Sequence, residues 1–93
     1  KAWDIELNYF YKLLRSKLND AEKSLLKSAQ LAWIKYRDKT IDFNSAVLDR
    51  KYANKQGTMY VAMRSGDASG AIVPIIKKRA VLLANWYKTL NKI

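Results

Sequence analysis

Ninety-three residues with no cysteine, no histidine and a formal net charge of +10 make one domain. Such a chain has no disulfide, no thiolate chemistry and no imidazole to serve as base or metal ligand. Hydrophobic residues still make up 49% of it, with three Trp, six Tyr and two Phe, so a packed core forms despite the charge.

No apolar run approaches the roughly 20 residues of a membrane span, and the chain is not expected to be transmembrane. It opens at Lys1 without an initiator Met or a signal-like apolar segment. That start reads as a processed product whose export signal has been removed.

Three apolar stripes at helical spacing follow in chain order. The first is Trp3, Leu7, Phe10, Leu14 and Leu18. Asn19 or Asp20 then caps a second helix, with Asp20 and Glu22 in its first turn. The short joint predicts an antiparallel hairpin of helices one and two. The second stripe is Leu26, Ala29, Trp33, Tyr36, Thr40, Phe43 and Val47. Turn signals follow at Gln56-Gly57-Thr58 and again from Ser65 to Gly70. They predict an irregular connection between Asn54 and Gly70, with a short helical turn from Met59 to Arg64. The last helix is expected to start at Ser69 or Gly70, with Pro74 in its first turn. Its stripe is Ile76, Ala80, Leu83, Tyr87 and Leu90, led by Ile72. The expected fold is all-α, a small antiparallel bundle of three main helices over residues 1–93.

The segment Gln30 to Asp38 is the most informative. Gln30, Trp33 and Arg37 project from one side of a helix, with Tyr36 beside Trp33. A structural reading makes Trp33 and Tyr36 hairpin anchors. Arg37 would then stack on an aromatic or pair with Asp4, Glu6 or Asp38, and Gln30 would satisfy a group such as Asn8. A functional reading makes Gln30 and Arg37 donors in a recognition cleft. No nucleophile–base pair is visible. The one i, i+4 carboxylate pair, Asp38 with Asp42, has Lys35, Lys39 and Lys51 as partners. We expect no enzyme activity, no cofactor and no metal site.

Here the chain resembles the LprI-like family of small secreted bacterial domains, named for a lipoprotein lysozyme inhibitor. The resemblance rests on Leu7-Asn8-Tyr9-Phe10-Tyr11-Lys12-Leu13-Leu14 and on Gln30-Leu31-Ala32-Trp33-Ile34-Lys35-Tyr36-Arg37-Asp38. Gly70-Ala71-Ile72-Val73-Pro74 echoes the family's entry to its final helix. The family commonly carries two cysteines where Ile41 and Ala80 stand here, so the resemblance implies an apolar contact in place of a bridge. It also implies a periplasmic or secreted binding protein that inhibits a lysozyme-type muramidase or meets another envelope protein.

The charge offers a second reading. Basic residues cluster at Lys77-Lys78-Arg79, at Arg50-Lys51 with Lys55, and more loosely over Lys12, Arg15, Lys17, Lys23 and Lys27. A solvated surface accounts for them, and so does contact with an anionic polymer such as nucleic acid, acidic polysaccharide or lipid head groups. An inhibitor would instead present Lys55, Arg64, Ser65 and Asp67 to an enzyme's paired carboxylates. Many lysozymes are basic, so a domain of this charge suits an acidic or neutral target.

Overall fold

The computed structural model describes residues 2–93; Lys1, read above as a processed start, lies outside the described residues. Three helices account for nearly all of it: α1 (Ala2–Arg15), α2 (Asp20–Lys51) and α3 (Thr58–Asn91).

Each boundary has a local cause. The end of α1 tightens as Lys17 and Leu18 donate to the carbonyls of Leu14 and Arg15, while the Ser16 hydroxyl donates to Leu13. Asn19 caps α2 through a capping box. Its side chain accepts from the Glu22 N–H at 2.8 Å, and the Glu22 carboxylate accepts from the Asn19 N–H at 2.9 Å. At the far end of α2, Tyr52 donates its N–H to Leu48 at 2.9 Å. Gly57 then turns the chain with φ 106°, a conformation that favours glycine.

The core forms where α1 lies on α3. Leu7 and Leu14 of α1, Leu26 of α2, and Ile76, Ala80 and Leu83 of α3 make one buried cluster. Trp3, Phe10, Leu18, Ile72, Tyr87 and Leu90 pack around it. The first and third stripes therefore bury as their spacing predicts. The expected pairing differs, because α1 packs mainly on α3 and not on α2.

Two further expectations are corrected. The connection before the last helix is short, running from Tyr52 to Gly57, and α3 continues unbroken through Ser65–Gly70 and Pro74. Within this stretch Arg64 and Asp67 are tied to α2, as described below. Gly70 is the residue one turn before Pro74, where the proline ring crowds the backbone, and it is solvent-exposed. In α2, the predicted stripe holds at Leu26 and Trp33, fails at the exposed Ala29 between them, and rotates outward after Trp33. Tyr36, Phe43 and Val47 are exposed, while Gln30 and Leu48 are buried.

The result is long and flat, 55 × 21 × 14 Å with a radius of gyration of 17.0 Å. A compact chain of this length has a radius near ~12 Å. Because α1 is short, it covers only one half of the α2–α3 pair. The other half is a two-helix arm.

Substituting Leu83→Ala, at a fully buried position, is expected to cost about 2–5 kcal/mol. Phe43→Ala, at a residue 72% exposed, should stay within about 0.5 kcal/mol. Urea unfolding of dilute protein checks both.

Candidate functional site

The centre of the molecule is an indole held between cations. Arg37 reaches over the Trp33 ring at 5.5 Å from its own helix, and Arg79 does so from α3 at 5.7 Å. Arg79 also lies 5.6 Å from the Trp86 ring. Its Nε donates to Gln30 Oε1 at 3.0 Å. Burial pushes the Arg79 guanidinium below its ordinary pKa, yet among the described residues no carboxylate pairs with it and its Nη2 is buried without a hydrogen-bond partner. Two aromatic faces and one amide hold this charge.

Gln30 and Arg37 thus do what the structural reading gave them, with different partners. Gln30 satisfies Arg79 and not Asn8. Arg37 both stacks on Trp33 and donates from Nε and Nη2 to Asp38 at 3.1 and 2.8 Å. Tyr36 lies on the far flank, 56% exposed.

Because α1 leans on α3, a groove of about 450 Å³ opens between α1 and α2. Leu7, Tyr11, Leu31, Trp33 and Ile34 give it apolar walls, and Arg15, Lys27 and Arg37 give it cations. Asn8 and Gln30 add amides. Such a surface suits a partner that presents carboxylates beside apolar side chains. Sequence reasoning named Gln30 and Arg37, and set Asn8 beside Gln30, but missed Tyr11, Arg15 and Lys27 as their neighbours. The signal was the opposition of the two family motifs, which both line this groove.

The other predicted site residues are dispersed. Arg64 and Asp67 are not loop residues; they sit in α3 and fasten the arm. Arg64 donates to Asp49 at 2.7 Å and to the Ser45 hydroxyl at 3.3 Å. Asp67 accepts from Lys51 Nζ and from the Tyr52 hydroxyl, each at 2.7 Å. Ser65 is exposed on the same helix. Lys55 lies in the connection at the arm's tip, over the Tyr60 ring at 5.7 Å. Lys77 covers Trp3 at 5.5 Å, and Lys78 is exposed beside Arg79. The run from Lys77 to Arg79 therefore divides: Lys77 turns to Trp3, while Lys78 and Arg79 line one shallow pocket with Trp33 and Tyr36.

The bridge position is also clear. Ala80 is in the core, whereas Ile41 is 38% exposed and outside the cluster that surrounds Ala80. No direct apolar contact replaces a disulfide here. Among the described residues no group of three acidic side chains converges on a cation position, and no helix is long and apolar enough to cross a membrane.

The fold is a slender all-α domain with a cationic, apolar-walled groove between α1 and α2. The family model described as lysozyme inhibitor LprI matches residues 1–69, and the chain belongs to that family. The matched segment contains the whole groove and stops short of the Gly70–Pro74 echo. Neither the curated proteins nor the solved structures contain a significant match.

Two predictions follow from these contacts. Arg79→Met should cost about 1–3 kcal/mol because it strands the buried Gln30 amide. Combining it with Gln30→Leu should recover much of that loss, since the pair is then removed together; a double-mutant cycle in urea measures the coupling.

The second concerns pH. The hydrogen bonds from Lys51 and Tyr52 hold the Asp67 carboxyl below its ordinary value of 3.8. The bond to Asp67 raises Tyr52 above 10.0. A lowered acid stabilises the fold above its unfolded pKa, and a raised group does so below its own. The arm should therefore be fastened between about pH 4 and pH 10 and loosen on either side. Asp67→Asn should remove the acid-side loss, read by amide exchange at residues 44–51.

Proposed function

We propose that this domain is a secreted or periplasmic, non-enzymatic inhibitor of a lysozyme-type muramidase, with the α1–α2 groove as its contact surface. Membership of the lysozyme inhibitor LprI family carries the reading. The groove supports it, because the matched segment includes every groove residue.

Glycoside hydrolysis of this type depends on a pair of carboxyl groups beside the scissile bond. A protein that lays Arg15, Lys27 and Arg37 over the mouth of such a cleft would neutralise those groups. The apolar walls would exclude water from the contact. Asp38 holds the Arg37 guanidinium, so that donor is oriented before binding and loses less entropy. Charge restricts the target. With a net +10, a strongly basic lysozyme is repelled, whereas an acidic or neutral muramidase is attracted.

The test is an inhibition panel spanning acidic and basic muramidases. Saturable inhibition of an acidic member is expected, with Lys27→Glu weakening it about 10-fold or more through lost complementarity. Absence of inhibition across the panel at micromolar domain would end the reading. Retained binding to a polyanion that collapses between about 50 and 200 mM salt would favour the anionic-polymer alternative.

A further inference from the structure

Arg79 carries a polar demand that its own chain does not meet. Its Nε donates to Gln30, and its guanidinium rests against the Trp33 and Trp86 rings. Its Nη2 is buried and has no hydrogen-bond partner among the described residues. A buried donor left without an acceptor costs more than a typical hydrogen bond contributes.

An open hollow of about 260 Å³ adjoins this guanidinium between α2 and α3. Ile75, Lys78, Arg79 and Leu82 line it from α3, at the spacing of one helical face. Trp33 and Tyr36 line it from α2. Trp33 also borders the α1–α2 groove, but no residue of α1 lines the hollow. The two are separate sites.

The lining is one-sided in its chemistry. Arg79 and Lys78 are cations, and the Tyr36 hydroxyl can donate. No Asp or Glu lines the hollow, and among the described residues neither cation has a carboxylate partner. The rest of the wall, from Ile75, Leu82 and the Trp33 ring, is apolar.

We propose that this hollow binds a carboxylate carried on an apolar body about the size of one amino-acid side chain. Arg79 and Lys78 hold the carboxylate, while Ile75, Leu82 and Trp33 cover the body. A carboxylate is planar and matches the guanidinium fork, with the ammonium adding a point charge. A doubly charged phosphate would lose its hydration against walls that are mostly apolar. Sites for drug-sized ligands hold about 300–1,000 Å³, so a hollow below that range takes a smaller group. The C-terminal residue of a polypeptide and a short free carboxylic acid both carry this chemistry.

Titration of the domain, followed by NMR of its amide and indole N–H groups, tests the site. The probes are N-acetyl-leucine and hexanoate, each beside its uncharged amide, at a constant ionic strength of about 100 mM. Saturable shifts are expected at Trp33, Tyr36, Lys78 and Arg79, with a carboxylate binding about 10-fold tighter than its amide. Binding of N-acetyl-leucine alone supports the site with a chain end as ligand; binding of hexanoate alone supports it with a free acid. Lys78→Gln, at an exposed position, should weaken binding about 3-fold with an unchanged melting curve. Leu82→Glu sets a carboxylate three residues from Arg79, within its reach on the helix, and should abolish binding.

Acid and amide binding alike overturns the proposal, as does a Leu82→Glu variant that binds like the wild type. So does inorganic phosphate that binds the same residues more tightly than either acid. Absence of saturable shifts up to about 50 mM, a range ligands of this size reach, overturns it too, with water alone satisfying Arg79. Shifts confined to Arg15 and Lys27 would put the carboxylate in the α1–α2 groove and end it equally. None of these readouts depends on muramidase inhibition, so the two proposals fail separately.

Discussion

The mismatch in helix length governs this molecule. At about 1.5 Å per residue, the 14 residues of α1 reach ~21 Å, while α2 and α3 reach ~48 and ~51 Å. One short helix cannot cover two long ones. Where it does cover them, Leu7, Leu14 and Leu83 bury and a core forms. Where it does not, the remaining pair has no third layer on which to bury apolar surface. The seam there turns polar, and ion pairs set the register of α2 against α3. The arm, the groove and the exposed Phe43 face all descend from that mismatch.

The Arg79–Trp33–Gln30 contact sits where the two regimes meet. It places at the edge of the core a cation that has no carboxylate partner among the described residues. Its value is in position more than in net stability, because a buried charge loses hydration that indole faces only partly replace. Arg79 can hydrogen-bond Gln30 only in one register of α3 against α2, and the same register places Arg64 beside Asp49. The groove therefore inherits its shape from contacts on the opposite side of α2.

Much of this was legible in the sequence, and the errors have physical reasons. The stripes of α1 and of Ile76–Leu90 meet each other, so their simple period describes their burial. The stripe of α2 fails beyond Trp33 because a helix with no apolar partner has no apolar face to turn inward. Periodicity detects clustering of apolar residues, and at Phe43 and Val47 that clustering marks a surface. The turn signals at Ser65–Gly70 were local preferences of about 1 kcal/mol per residue. The helix runs through them all the same, and Arg64 and Asp67 are tied to residues 15 or more positions away, which no local preference registers. Gln30 and Arg37 were singled out as neighbours on one helix face, but the partner of Gln30, Arg79, lies 49 residues away and no local pattern announces that pairing.

Charge is unevenly divided. Nearly all the net positive charge lies outside residues 38–67, and under the proposed function it restricts which enzymes can approach. All of this rests on α3 being one continuous helix through Gly66, Gly70 and Pro74. Spin labels at Thr58→Cys and Lys88→Cys, diluted with unlabelled protein, measure that directly by pulsed dipolar spectroscopy. An unbroken helix predicts a narrow distribution centred near ~45 Å between the two backbone positions. A break at Ser65–Gly70 that folds the first turns back on the bundle would give a broad distribution well below ~35 Å, and would contradict the account.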